Sequence, residues 1–324
     1  MTVSLALRND PRIPAPTRQR IQKVADELGY RPNPAMSELM TRMRTRRTLA
    51  QDTVIAHLNA SNKPGGWSEY YPGRDYIEGS RERARELGYQ LEEFWFREPG
   101  MTSRRMTSIL KTRGIRGVLI GGVIPVVGHM SLDWSIFASA TLGYSMWLPQ
   151  MDRSVPDYSQ IATLAIRELK RLGYRRIGLA IWAKLDTRTA HRWTGGFLAQ
   201  QHHMRLADRV PLLEPKTFDE PTFARWFLKN KPDVVVGPDA RMVTWLRNLG
   251  RRVPQNVGFV NLVKHPGDSA AGIEQNARAI GAAAIDLIVS RLQRNEFGLP
   301  AVPKVVHIPG VWSEGETVRR QKRA

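Results

Sequence analysis

Three histidines, His191, His202 and His203, stand close together in the chain. Imidazoles grouped this way can hold a transition metal or move protons. Their sequence neighbours supply no further ligand at a recognised spacing. The chain has no cysteine, which excludes disulfides, thiolate zinc sites and cysteine nucleophiles. The motifs of nucleotide phosphate loops, dinucleotide-binding turns, zinc proteases and serine hydrolases are also missing. The glycine-rich GIRGVLIGG reads as a buried strand with bends. The chemistry expected is therefore binding: no catalytic residue, no metal, no cofactor, and not an enzyme.

What must position a binding site is set by size and charge. A chain of 324 residues suits two or three domains, and 42% apolar residues suffice for buried cores. With 49 Lys+Arg against 30 Asp+Glu the formal charge is +19, which favours a polyanionic partner, most often nucleic acid. No apolar run approaches the roughly 20 residues of a membrane span, and no export signal opens the chain. The absence of cysteine fits a reducing compartment, so the expected location is cytoplasmic.

The first fifty residues carry ten Lys/Arg and four Asp/Glu. Val3, Ala6 and Leu7 form a short helical stripe, and the turn-forming NDP ends it. In APTRQRIQKVADELGY a second helix is expected, with Ile21, Val24, Ala25 and Leu28 on one face and Gly29 as its stop. RPNP breaks the chain, and AMSELMTRMRTRR follows as a short helix with a basic end. A unit this small is marginally stable alone.

From Thr2 to Leu39 these residues, without a gap, resemble the headpiece of the LacI/GalR (lactose repressor) transcription regulators. The resemblance implies a helix-turn-helix in which TVSLALR is the recognition helix, PTRQRIQKVADELGY the third helix and NPAMSEL the hinge helix. The family's first helix and tight turn would precede TVS, so the headpiece is expected to be partial, through a start assigned too late or a natural truncation. The same likeness assigns Thr2, Ser4, Leu5 and Arg8 to the major groove. Leu5 stands where many members carry Arg, which removes a guanine contact. Arg12, Thr17, Tyr30 and Asn33 match positions that touch phosphates or the groove edge. Leu39, flanked by Met36 and Met40, matches the residue that wedges into the minor groove. Without a covering helix over Val3, Leu7 and Ile21, a poorly ordered headpiece and weak, salt-dependent DNA binding are expected.

From Asp52 onward strands and helices alternate: TVIAHLNA, RDYIEGSRERARELGY, QLEEFWF, SRRMTSILKTRG and IRGVLIGG. The alternation restarts after Pro156 and runs to NVGFVNL. This predicts an α/β body of two parallel-sheet lobes with a cleft between them. The resemblance extends here more loosely, through RRIGLA, RRVPQNVGFV, AGIEQNARAIGAAAIDLIVSRL and IPGVWSEGETVR. It implies a two-lobed, periplasmic-binding-protein-like body. The expected organisation is a headpiece and hinge over 1–47, a first lobe over 52–150 plus about 270–300, and a second over 151–269 plus about 301–318.

The family's effectors are often sugars or nucleobases held by aromatic stacking and planar hydrogen bonds. On that footing Asn59, Trp67, Tyr70 and Tyr71 are candidate first-lobe contacts. Trp182, Arg192, Trp193 and Asp239 are candidates from the second lobe. Two departures stand out. RWTGGF has two glycines, so either Arg192 or Trp193 occupies the family's arginine place. Val263, beside Lys264 and His265, replaces the sugar-binding aspartate, and Pro238 replaces the usual asparagine. The resemblance implies a sequence-specific transcription regulator, a repressor, working as a homodimer on a near-palindromic operator and controlled by a small, carbohydrate effector. Two alternatives stay open: a solute-binding module that has lost DNA binding, and an enzyme built on a binding-protein fold.

Overall fold

The structure, a computed structural model, describes residues 3, 6, 7, 11, 13–28, 54–67, 69, 71–122 and 128–321. The chain divides into two compact units, 1–49 and 50–324. In the first unit the Leu7 N–H bonds to the Val3 carbonyl at 3.0 Å, as in a helical turn. Helix α1 spans Ala15–Glu27. Ala6 is fully buried, and the Gln22 side chain donates to its carbonyl at 3.2 Å. The expected apolar face is only half covered: Ile21 and Ala25 are half-buried, whereas Val24 and Leu28 are exposed. Thr17 lies in the first turn of α1. Thr2, Ser4, Leu5, Arg8, Arg12, Tyr30, Asn33, Met36, Leu39 and Met40 lie outside the described residues.

The second unit contains β1 (Val54–Asn59), α2 (Gly73–Glu86), β2 (Gln90–Trp95), α3 (Ser103–Thr112), β3 (Gly117–Ile120), β4 (Gly128–His129), β5 (Ala138–Leu142), β6 (Met146–Leu148) and β7 (Asp152–Pro156). Then come α4 (Tyr158–Arg171), β8 (Ile177–Leu179), α5 (Ala183–Arg188), α6 (Arg192–His202), α7 (Glu220–Asn230), β9 (Val234–Gly237), α8 (Arg241–Asn248) and β10 (Gly258–Asn261). The chain finishes with β11 (Gly272–Glu274), α9 (Ala277–Arg294), β12 (Val305–Ile308) and β13 (Val311–Ser313). One sheet has the order β12-β7-β5-β3-β1-β2, all parallel. A second has the order β13-β11-β10-β9-β8, parallel except for β13, and β4 and β6 form a small parallel pair of their own.

Both sheets are covered on both faces, which explains their continuous apolar strands. On β1, Ile55 packs with α2 and α9, while Ala56 and Leu58 pack with Met106 and Leu110 of α3. On β9, Val234 and Val236 face α4 and α6, and Val235 faces α7 and α8. Side chains cap three of the helices: Thr102 accepts from Arg105 N, Asp157 from Gln160 N, and Asp219 from Thr222 N. Helices α2 and α9 meet backbone to backbone. A Cβ on Gly281 would sit 1.9 Å from the Tyr76 carbonyl oxygen, and one on Gly79 2.1 Å from that of Arg278.

The chain crosses between the sheets at β7–α4, β11–α9 and β12–β13. These points differ from the sequence reading. Strand 152–156 belongs to the first sheet, 272–274 to the second, and 305–308 to the first again. The first difference arises because β7, DRSVP, is short and largely polar although every residue is buried, and β5, ASATL, beside it is built the same way. Short buried strands of this kind carry no alternation to read. The expected strand RVPLLE contributes only an isolated bridge, Ala180 to Leu213.

Candidate functional site

In parallel sheets, ligands bind beyond the carboxyl ends of the strands. At the end of β1, Asn59 is buried and engaged on every side. Its amide donates to Glu93 Oε1 at 3.0 Å, and its oxygen accepts from Ser61 N at 2.9 Å and Ser61 Oγ at 2.5 Å. Glu93 also accepts from Gly65 N at 3.0 Å and lies 3.5 Å from Nδ1 of buried His57. His57 above all, with Asn59 and Gly65, holds the Glu93 carboxyl down at about 2, against burial. This network fixes the loop after β1 and commits the Asn59 oxygen, and one amide donor, to the protein itself.

Trp67 is a core residue, which corrects its reading as a sugar platform. It is 5% exposed and packs beside Tyr76, with ring centroids 5.7 Å apart, and beside His57 at 6.1 Å. Cβ atoms on Gly121 and Gly122 would fall 2.9 Å and 2.6 Å from its indole. The indole thus fills the space that these two side-chain-free residues leave. Tyr70 lies outside the described residues. Tyr71 is half-buried and meets the ring of His265, from the other lobe, edge-on at 4.8 Å. Burial pushes its phenol up to about 12, against a hydrogen bond from the Gln275 backbone.

The face shared by the two lobes is built from tyrosines and arginines. Tyr144 follows β5, and the guanidinium of Arg192, at the start of α6, lies 4.6 Å from its ring centroid. Arg153 of β7 lies 5.3 Å from the same ring. Arg153 is buried and held only by neutral acceptors, the carbonyls of Gly143 and Met146 and the side chain of Gln150. Burial and the nearby Arg192 charge lower its pKa. Tyr144 also approaches His307 Nε2 at 3.5 Å. Tyr158 opens α4, and Trp193 packs edge-on against it at 4.8 Å. Arg188, at the end of α5, acts electrostatically on Tyr76 of the first lobe and Tyr158 of the second. Burial raises both phenols, so they stay protonated donors.

Trp193 is 2% exposed, which makes it core, while Arg192 beside it reaches Tyr144. Trp182 ends the β8 segment, half-buried, 5.6 Å from Phe218. Asp239 is taken up by Arg241, accepting from its guanidinium at 2.6 Å and its N–H at 2.9 Å. That pairing leaves Asp239 a poor sugar acceptor. Val263 packs on the second-lobe core, and Lys264 points inward to Ser313 Oγ at 2.7 Å and the Glu314 carbonyl at 3.0 Å. Among the three histidines, His202 and His203 only touch each other, 5.4 Å apart. His191 bonds to Oδ2 of buried Asp186 at 2.6 Å. With Glu214, these two bring possible ligand atoms within 4.8 Å of one another. Thr194 donates to the same Asp186 oxygen at 2.8 Å, so that carboxylate is already serving the start of α6.

Sequence reasoning missed Tyr76, Tyr144, Arg153, Tyr158 and Arg188. A signal existed for Tyr158, which follows the helix-capping Asp157 directly after a strand. Arg188 gave none.

The chain was then compared with known proteins. Residues 1–33 match the bacterial regulatory proteins of the lacI family, and residues 166–318 match the periplasmic binding protein-like domain. No curated protein matches in sequence. Among solved structures, a transcriptional regulator CelR–cellobiose complex is 19% identical, with 98% of this chain and 95% of that chain covered and a TM-score of 0.58. The lac repressor dimer bound to operator and the anti-inducer ONPF is 16% identical, covering 98% and 94%, with a TM-score of 0.57. A LacI family regulator from Enterococcus faecium with bound ribose is 14% identical, covering 83% and 100%, with a TM-score of 0.56. A match to the lacI-family headpiece and a match to the periplasmic binding protein-like domain thus stand in that order along one chain, over a two-sheet body that shares its fold with these regulators.

Proposed function

We propose that this protein is a DNA-binding transcription regulator whose two-lobed body takes a small effector of the carbohydrate class. The observation that carries this reading is the pairing of a regulator headpiece at 1–33 with a body whose lobes meet in a tyrosine- and arginine-lined face. Cellobiose and ribose in the neighbouring structures support the effector class. On the DNA, Thr2, Ser4 and Arg8 read base edges, and Arg12, Thr17, Tyr30 and Asn33 hold phosphates. Thr17 in the first turn of α1 suits this role, because helix N-termini favour anions. Leu39 and Met36 enter the minor groove. A homodimer presents two such headpieces to a near-palindromic site.

The mechanism is coupling between two sites. Effector bound between the lobes changes their relative orientation, and with it the spacing of the two headpieces. Selection from a random duplex library, at fixed moderate salt, tests the reading. A near-palindrome should be enriched, and an effector that changes operator affinity should have its own affinity changed by the same factor. If no sequence is enriched and binding is uniform across duplexes, the regulator reading fails.

A further inference from the structure

We propose that the effector carries an anionic group, a carboxylate or a phosphate ester, received between the lobes by Arg188 and Arg192 with the hydroxyls of Tyr76, Tyr144 and Tyr158. This deepens the regulator reading and rests on it.

Arg153 and Arg192 meet at Tyr144, Arg188 acts electrostatically on Tyr76 and Tyr158, and among the described residues none of the three forms an ion pair with a carboxylate. Arg153 and Arg192 share one tyrosine ring, at 5.3 and 4.6 Å. Two cations on one ring repel each other, and Arg153 has only carbonyl and amide acceptors. The Nε of Arg192 is buried without a hydrogen-bond partner. A buried guanidinium donor lacking an acceptor is costly and is relieved by a bound oxyanion. Arg188 is half-buried, and no carboxylate among the described residues pairs with it. The phenols of Tyr76 and Tyr158, on which Arg188 acts electrostatically, are kept protonated by burial and so offer donors as well.

Three carboxylates near the face are already engaged. Asp157 caps α4, accepting from Gln160 N at 3.0 Å. Asp186 holds His191 and Thr194, and Asp239 holds Arg241. Asp75, Glu274 and Asp268 act electrostatically on Tyr71, which meets His265. A site rich in donors and cations, and poor in free acceptors, suits an acid better than a neutral polyol, whose hydroxyls need acceptors.

The test is calorimetric titration of the full chain with two matched sets. The charged set is glucuronate, galacturonate, gluconate and glucose 6-phosphate; the neutral set is glucose, galactose, ribose and cellobiose. Arg188→Gln and a control on the same lobe, Arg241→Gln, are titrated alongside, and thermal unfolding without ligand confirms that both fold. At least one charged probe should bind, its neutral counterpart about tenfold or more weaker. Arg188→Gln should weaken the charged probe about thirtyfold and leave neutral sugars unchanged. The uronates and the phosphate ester separate the two sources of the anion. The proposal is overturned if no charged probe binds, if neutral sugars bind as tightly, or if Arg188→Gln binds like the parent. None of these results touches operator selection, which tests the regulator reading by itself.

Discussion

Replacing Trp67 with alanine separates the two roles an aromatic residue in this loop can have. A buried tryptophan removes about 150–250 Å² from water, which at ~25 cal/mol/Å² is about 4–6 kcal/mol as an upper bound. Substitution series for Trp→Ala in cores give about 3–5 kcal/mol. At 5% exposure, with Gly121 and Gly122 under the indole and Tyr76 and His57 beside it, little can collapse into the space. We therefore expect Trp67→Ala to lower the stability of the first lobe by about 4 kcal/mol, a large share of an ordinary domain's margin. Urea unfolding followed by far-UV circular dichroism reads this directly, because the helices of both lobes contribute. The lobes need not unfold together, so the transition carrying the first lobe should move to lower urea while the other stays. Gly122→Ala, which places a Cβ 2.6 Å from the indole nitrogen, should destabilise the same transition from the opposite side. The reasoning is refuted if Trp67→Ala unfolds within about 0.5 kcal/mol of the parent and loses only ligand affinity, as an exposed ligand platform would.

Other outcomes follow from single contacts. Gly281→Ala drives a Cβ to 1.9 Å from a backbone oxygen that cannot swing aside, so α2 and α9 must separate, and soluble yield and melting temperature should fall sharply. Glu93, held at about 2 instead of 4.5, adds stability that is complete above its unfolded value and fades as pH falls toward 2. With the side chain one-third exposed, the contribution is discounted to about 1–2 kcal/mol, and acid titrations of the parent and Glu93→Gln should differ at about pH 6 and converge near pH 2. Asp239→Asn breaks a pair confined to the second lobe and should leave effector affinity within about threefold, measured by titration. The affinity of the whole protein for DNA should fall steeply between low and moderate salt, with a log–log slope set by the phosphates its Lys and Arg residues neutralise.

What was legible in the sequence is what periodicity carries. IRGVLIGG, PDVVVGP and YSQIATLAIRELKRLGY announce themselves through continuous apolar runs or a 3.6-residue stripe, and they form β3, β9 and α4. The strand ASATL did not, because small buried residues have neither run length nor alternation. The site residues divide in the same way. Aromatic type alone placed Trp67 and Trp193 in the cleft, yet burial needs large apolar surfaces as much as binding does, and both became core. Arg192 was legible as a candidate and reaches the shared face, whereas Arg188 was not, since an arginine ending a six-residue helix looks like any solvated charge until the opposite lobe is in view.

The three crossings explain why a ligand at this face would act on the whole body. They are bonded to one another: Asp157 N to the Ile308 carbonyl at 2.8 Å, Gly310 N to Gln160 at 3.0 Å, and Asn276 to the Pro309 carbonyl at 2.8 Å. Gly310 is packed so closely that a Cβ there would meet Ile273 at 2.5 Å. These contacts lace the three crossings into a short waist, where the chain passes from one sheet to the other. Tyr76 belongs to one lobe, and Arg188 and Tyr158 to the other. A group bound between them is held fully only in the closed arrangement. Its effect on the lobe equilibrium is limited to the difference in affinity between the two arrangements, however tightly it binds overall. Contacts that lie within one lobe, such as Asp239 with Arg241, persist in both arrangements and contribute nothing to that difference. In the regulator we propose, the residues that face each other across the waist are consequently the ones through which an effector would bias the lobe equilibrium.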